Sequence, residues 1–69
     1  MDDSLPQPVP GPDLARIRKT QGVEQAALAD RLGIHRVTLS SWERSAAIDP
    51  IRAARYRRAL RELIAEAVA

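Results

Sequence analysis

The chain has no cysteine, one histidine, one lysine and only two aromatic residues, Trp42 and Tyr56. Without thiols there is no disulfide framework and no thiolate metal site. His35 alone cannot supply a site built from several imidazoles. No run of about 18 apolar residues occurs, so no segment reads as a membrane span. The opening Met-Asp-Asp-Ser, followed by prolines, lacks the basic and apolar regions of a secretory signal, and a cytoplasmic protein is expected. There is also no nucleophile beside a base, no carboxylate dyad and no metal-ligand cluster at a workable spacing. Neither an enzyme nor a cofactor is therefore expected. Sixty-nine residues make one domain at most. Such a domain buries only a modest fraction of its surface and gains from a second copy or a partner.

What is present is unevenly placed. The formal net charge is +2, yet all eleven basic residues and only seven of the nine acidic ones lie from Asp13 onward. Ten of the eleven are arginine, the side chain better suited to bidentate contact with phosphate or guanine. Arg52, Arg55, Arg57, Arg58 and Arg61 fall within ten residues that contain no acid. Such a cluster is either a solvated helical face or a surface for a polyanion or an acidic partner. The sequence leaves both open.

Pro6, Pro8, Pro10 and Pro12, with Gly11, favour an extended coil over a helix. Residues 1–12 therefore read as a disordered Pro-rich tail and residues 13–69 as the folded domain. Asp13 is placed to cap a first helix over residues 13–21, with Leu14, Ile17 and Gln21 at helical spacing and Gly22 as its stop. Glu24 and Gln25 open a second helix rich in good helix formers. It ends at Gly33, which takes the left-handed conformation without steric cost. A third helix is expected from His35 or Arg36 to Ser45, with Leu39 and Trp42 turned inward. Asp49-Pro50 marks a fourth, a capping carboxylate followed by proline at the first helical position. Neither Gly nor Pro interrupts the stretch from there to Val68, which predicts one helix of about 18 residues. Ala53, Tyr56, Leu60, Leu63 and Ala67 form its apolar stripe, broadened by Ile51 and Ile64. Tyr56, Leu60 and Leu63 are assigned to the core, with the Tyr56 hydroxyl at a rim, and Ile64, Ala67 and Val68 to an interface.

The stretch from Gln25 to Arg44 thus has two short helices joined at Gly33, the second with an exposed polar face. That is the layout of a helix-turn-helix, whose second helix enters the DNA major groove. Over residues 14–50 the chain resembles the phage-repressor-like (Xre/Cro-type) helix-turn-helix family. Arg18, Gly22, Gln25, Leu28-Ala29, Gly33, Leu39, Trp42-Glu43 and Pro50 stand at the family's pattern positions. The chain departs from that pattern twice. Arg44-Ser45-Ala46-Ala47 replaces the usual glycine after the helix 3 glutamate, and one long last helix replaces two short ones.

The resemblance implies an all-α, lambda-repressor-like domain of four helices, with Arg18 and Glu43 as an ion pair of the scaffold. It also implies which residues touch DNA. Arg36, Val37, Thr38 and Ser41 would read bases: Arg36 at guanine, Val37 or the Thr38 methyl at a thymine methyl. Ser40 and Arg44 would meet phosphate, as would Gln25 at the second helix's N-terminus. His35 would cap the third helix beside a phosphate. Trp42 is read as core. The function implied is a regulator of transcription, most simply a repressor that binds an inverted-repeat operator in double-stranded DNA as a homodimer. The alternative is an antitoxin or mobile-element adaptor that engages a protein partner through the tail or the final helix.

Overall fold

The computed structural model describes residues 8–68. Four helices follow in order: α1 Gly11–Thr20, α2 Gln25–Leu32, α3 Arg36–Arg44 and α4 Pro50–Ala67. The last is 18 residues long, as its unbroken composition predicts. Leu14 of α1, Leu28, Ala29 and Leu32 of α2, Leu39 of α3, and Ala53, Tyr56, Ala59 and Leu60 of α4 make one buried cluster, closed by Ile48. Ala29 must be small because α3 packs on that turn of α2, and it is buried.

The N-terminal boundary lies earlier than expected. α1 starts at Gly11, Pro10 is its N-cap residue, and no side chain caps it. Asp13 sits inside the first turn instead and pairs with Arg16 at 2.6 Å. Val9, which reads as tail in the sequence, forms an antiparallel bridge with Ile48 and packs against the core. Two backbone bonds make it, Val9 N–H to Ile48 O at 2.9 Å and Ile48 N–H to Val9 O at 2.7 Å. Residues 1–7 of the expected tail lie outside the described residues.

The helix ends follow local chemistry. Gly33 has φ 72° and its N–H returns to the α2 carbonyls of Ala29 and Asp30, closing the tight turn into α3. The His35 Nδ1 accepts from the Val37 N–H at 3.2 Å, so His35 does cap α3. Asp49 caps α4, its Oδ1 accepting from the Arg52 N–H at 2.9 Å. That bond holds the exposed Asp49 carboxyl below the usual aspartate range. Its contribution is present above the unfolded aspartate pKa and is lost as pH falls through the lowered folded value. Asp49→Ala is expected to lower the melting temperature by about 4–8 °C, the loss usual for a helix N-cap in so small a domain.

Trp42 is half-buried rather than enclosed. It packs on the core with one face and carries the Arg52 guanidinium 5.8 Å from its ring centre. Leu63 and Ile64 are also half-buried, whereas Ile51 stands exposed instead of joining the stripe.

Candidate nucleic-acid interface

α3 divides its side chains cleanly. Leu39 and Glu43 are buried and Trp42 and Ser40 half-buried, while Arg36, Val37, Thr38, Ser41 and Arg44 are exposed. Glu43 is the only acid in the helix, so the outward face carries positive charge, hydroxyls and one apolar side chain with no carboxylate among them.

Gln25, Arg36, Val37, Ser40 and Arg44 line one concavity. Gln25, Ser40 and Arg44 also line a second, together with Ala15, Arg18, Lys19 and Glu43. The shared walls make a continuous trough from the last turn of α1 to the first turn of α3. The Arg44 Nη1 donates to Ser40 Oγ at 2.6 Å, which holds the guanidinium over the trough. Thr38 and Ser41 lie on the exposed face outside the trough, and His35 is exposed at the helix start. Lys19 also lines the trough, and sequence reasoning did not single it out. It is the chain's only lysine and directly follows the scaffold residue Arg18, and that adjacency is the one signal that could have found it.

The face is held in place from behind by one carboxylate. Glu43 accepts from Arg18 Nε at 2.7 Å and Nη2 at 3.0 Å, and from Gln25 Nε2 at 2.9 Å. The Tyr56 hydroxyl donates to Glu43 Oε2, the oxygen that also takes the Arg18 Nε bond. Arg18 belongs to α1, Gln25 to α2 and Tyr56 to α4, so a single α3 side chain is bonded to every other helix. The expected Arg18–Glu43 pair is present, and the Arg18 Nη1 also donates to the Val23 carbonyl at 2.8 Å. Tyr56 departs from expectation: it is fully buried, not at a rim. Burial pushes the Glu43 carboxyl up, but the hydrogen bonds from Arg18, Tyr56 and Gln25 outweigh it and hold the group below its ordinary value. The Glu43 hydrogen bond in turn raises Arg18. Burial, then the bond to Glu43, pushes the Tyr56 phenol far up.

Gln25 is therefore half-buried with its amide nitrogen turned inward. One N–H of that nitrogen is left for a ligand. α2 also opens without a side-chain cap, which leaves its first backbone N–H groups unsatisfied.

Two of the five arginines of α4 are paired with acids. Arg52 bonds Asp49 and Arg58 bonds Glu62, while Arg31 of α2 reaches Glu62 and Glu66. Among the described residues, Arg55, Arg57 and Arg61 of the cluster have no acidic partner. No helix of the described residues is long and apolar enough to cross a membrane.

A family model described as helix-turn-helix matches residues 14–66. Comparisons with curated proteins and with solved structures returned no match. The matched span takes in all of α2 and α3, the bonded pair that fixes them and nearly all of α4. The chain belongs to the Xre/lambda-repressor-like helix-turn-helix family of DNA-binding transcription regulators.

Proposed function

We propose that this regulator is a repressor, and that it binds an inverted-repeat operator as a homodimer with one α3 in each of two successive major grooves. The observation that carries the reading is the acid-free outward face of α3, backed by the trough from Lys19 to Arg36. In this arrangement Arg36 donates to guanine O6 and N7, and Val37 and the Thr38 methyl pack on thymine methyls. Ser41 contacts a neighbouring base edge. Gln25, Ser40, Arg44 and Lys19 take phosphates on one flank, with His35 beside them. One such helix reads only a few base pairs, so two copies on a symmetric site supply the affinity and the spacing of about one helical turn. Exposed Ala67 and Val68 at the end of α4 are the surface assigned to the second copy; Val68 is 81% exposed. Occupancy of an operator that overlaps a promoter then blocks transcription.

Two measurements test the reading. Fluorescence anisotropy on a duplex bearing the operator should show affinity falling by about two orders of magnitude between about 50 and 200 mM salt, the loss expected for roughly four phosphate cations per dimer. Lys19→Ala should weaken binding to all sequences alike and flatten the salt slope. Arg36→Ala should instead relax preference at one base position by about 1–3 kcal/mol. Affinity that ignores salt, or an unchanged site preference in Arg36→Ala, would overturn the assignment of this face. Sedimentation of Val68→Asp, expected to shift the chain toward monomer, tests the assembly separately.

A further inference from the structure

A groove between α1 and α4 is left without a role by DNA binding. Ile17, Gln21, Arg57, Leu60, Arg61 and Ile64 line it, over a volume of about 290 Å³. Helical spacing keeps it apart from the trough. Ile17 and Gln21 are one turn apart on one face of α1, while Ala15 and Lys19, also one turn apart, turn another face to the trough. The floor of the groove is apolar: Leu60 is buried, Ile64 half-buried and Ile17 47% exposed. Arg57 and Arg61 are exposed and stand one turn apart on its α4 side. Neither meets an acid among the described residues, and no acid lines the groove.

We infer that this groove docks a helix of a partner protein, one whose stripe of large apolar side chains is flanked by carboxylates one turn apart. Charge and polarity together select this occupant. A helix laid in a groove presents its anchors from successive turns. Apolar anchors cover Ile17, Leu60 and Ile64, and two acids one turn apart match the spacing of Arg57 and Arg61. A nucleic acid would use the arginines alone, because a phosphate set on an apolar floor loses water and gains no hydrogen bond there. A lipid surface takes up side chains that protrude, whereas Ile17 and Ile64 line a hollow. The hollow is also smaller than the roughly 300–1,000 Å³ of sites that enclose a small ligand. A second copy seated symmetrically would bring Arg57 and Arg61 against their own copies, and like charges across an interface repel. Because groove and trough use different faces of α1, a filled groove leaves the exposed face of α3 open. The domain then holds a protein and a duplex at once. That consequence rests on the DNA reading, but the docking itself does not.

The probe is a synthetic helical peptide with leucines at i, i+3 and i+7 and glutamates at i+4 and i+8, titrated into the isotope-labelled full chain and followed by NMR. Amide shifts are expected at Ile17, Gln21, Arg57, Arg61 and Ile64, and not at Arg36, Thr38 or Ser41. Replacing the glutamates with lysines should weaken binding by about tenfold or more, as should Arg57→Glu/Arg61→Glu in the protein. The lysine peptide should bind that double variant instead. Both arginines are exposed, so the variant leaves the core intact. Ile17→Asp tests the apolar floor separately and should cause a loss of the same order. The absence of groove shifts at millimolar peptide would overturn the inference. So would binding that survives either charge reversal or Ile17→Asp. Competition for the groove by a short DNA duplex, or groove shifts that follow protein concentration without peptide, would overturn it too, since they seat a duplex or a second copy there. None of these outcomes requires that α3 bind DNA.

Discussion

Glu43→Ala is expected to destabilise the domain by about 3–5 kcal/mol, the range found when one partner of a buried ion pair is removed. The size follows from what the carboxylate leaves behind. Arg18 is 7% exposed and loses two of its three bonds, and the fully buried Tyr56 hydroxyl loses its acceptor. Small domains carry about 0.05–0.15 kcal/mol of stability per residue, so a chain of 69 residues has little to spare. Urea unfolding followed by circular dichroism should show Glu43→Ala largely unfolded at a temperature where the parent is native. A variant within about 1 kcal/mol of the parent would mean that water or a relaxed Arg18 replaces the network. The apolar double variant Arg18→Met/Glu43→Leu should recover part of the loss, because it strands no charge.

The same carboxylate predicts the acid limb of stability. Its folded pKa lies below the unfolded value, so the contribution is complete above the ordinary glutamate range and is lost as pH falls through the folded pKa. Tyr56 acts at the other limb. Its folded pKa is raised, so its contribution is complete below the ordinary tyrosine pKa and declines as pH rises above it. Glu43→Gln should flatten the acid limb and Tyr56→Phe the alkaline one, each read from melting temperature against pH. Because Glu43 bonds α3 to all three other helices, either change also loosens the angle at which the exposed face of α3 is presented.

The parts of this protein written in local chemistry are legible in the sequence alone. Gly33 after Leu32, and Asp49 before Pro50, set two helix boundaries through backbone conformation and capping, and both hold. The Arg18–Glu43 pair is reached only through resemblance, since the two residues are 25 apart and no periodicity joins them. Spacing puts Tyr56 in the core but says nothing of where a hydroxyl points. Its acceptor on Glu43 belongs to another helix. Val9 reads as tail because prolines flank it. Its bridge to Ile48 joins segments that are distant in sequence, and composition carries no trace of such a partner. On the outward face of α3, the exposure of Arg36, Val37, Thr38, Ser41 and Arg44 follows from helical spacing around Leu39. The inclusion of Lys19 depends on the relative placement of α1 and α3.

Gly11 is the sharpest case of a constraint invisible in sequence, and Gly11→Ala is expected to cost about 3 kcal/mol, at the upper end of overpacking effects. Its conformation is ordinary helix, without the positive φ that marks Gly22 and Gly33. What demands glycine is the end of α3. An added methyl would sit well inside contact distance of the Trp42 carbonyl oxygen, and 2.9 Å from both the Glu43 carbonyl carbon and the Ser45 carbonyl oxygen. All three are backbone atoms, so no side-chain rotation relieves the clash. The start of α1 must move away, which also stretches the bond from the Gly11 N–H to the Ser45 carbonyl, now 2.8 Å. Gly22→Ala is the matched control. Its methyl would meet nothing within 4 Å, but its φ is +73°, so it carries only the left-handed backbone penalty of about 1–2 kcal/mol. Thermal melts should therefore place Gly11→Ala below Gly22→Ala, with about 4–8 °C lost per kcal/mol in a domain of this size. The reverse order would mean that α1 shifts away from α3 at little cost. In that case the seat of α3 is softer than its packing implies, and DNA affinity in Gly11→Ala should then stay near that of the parent.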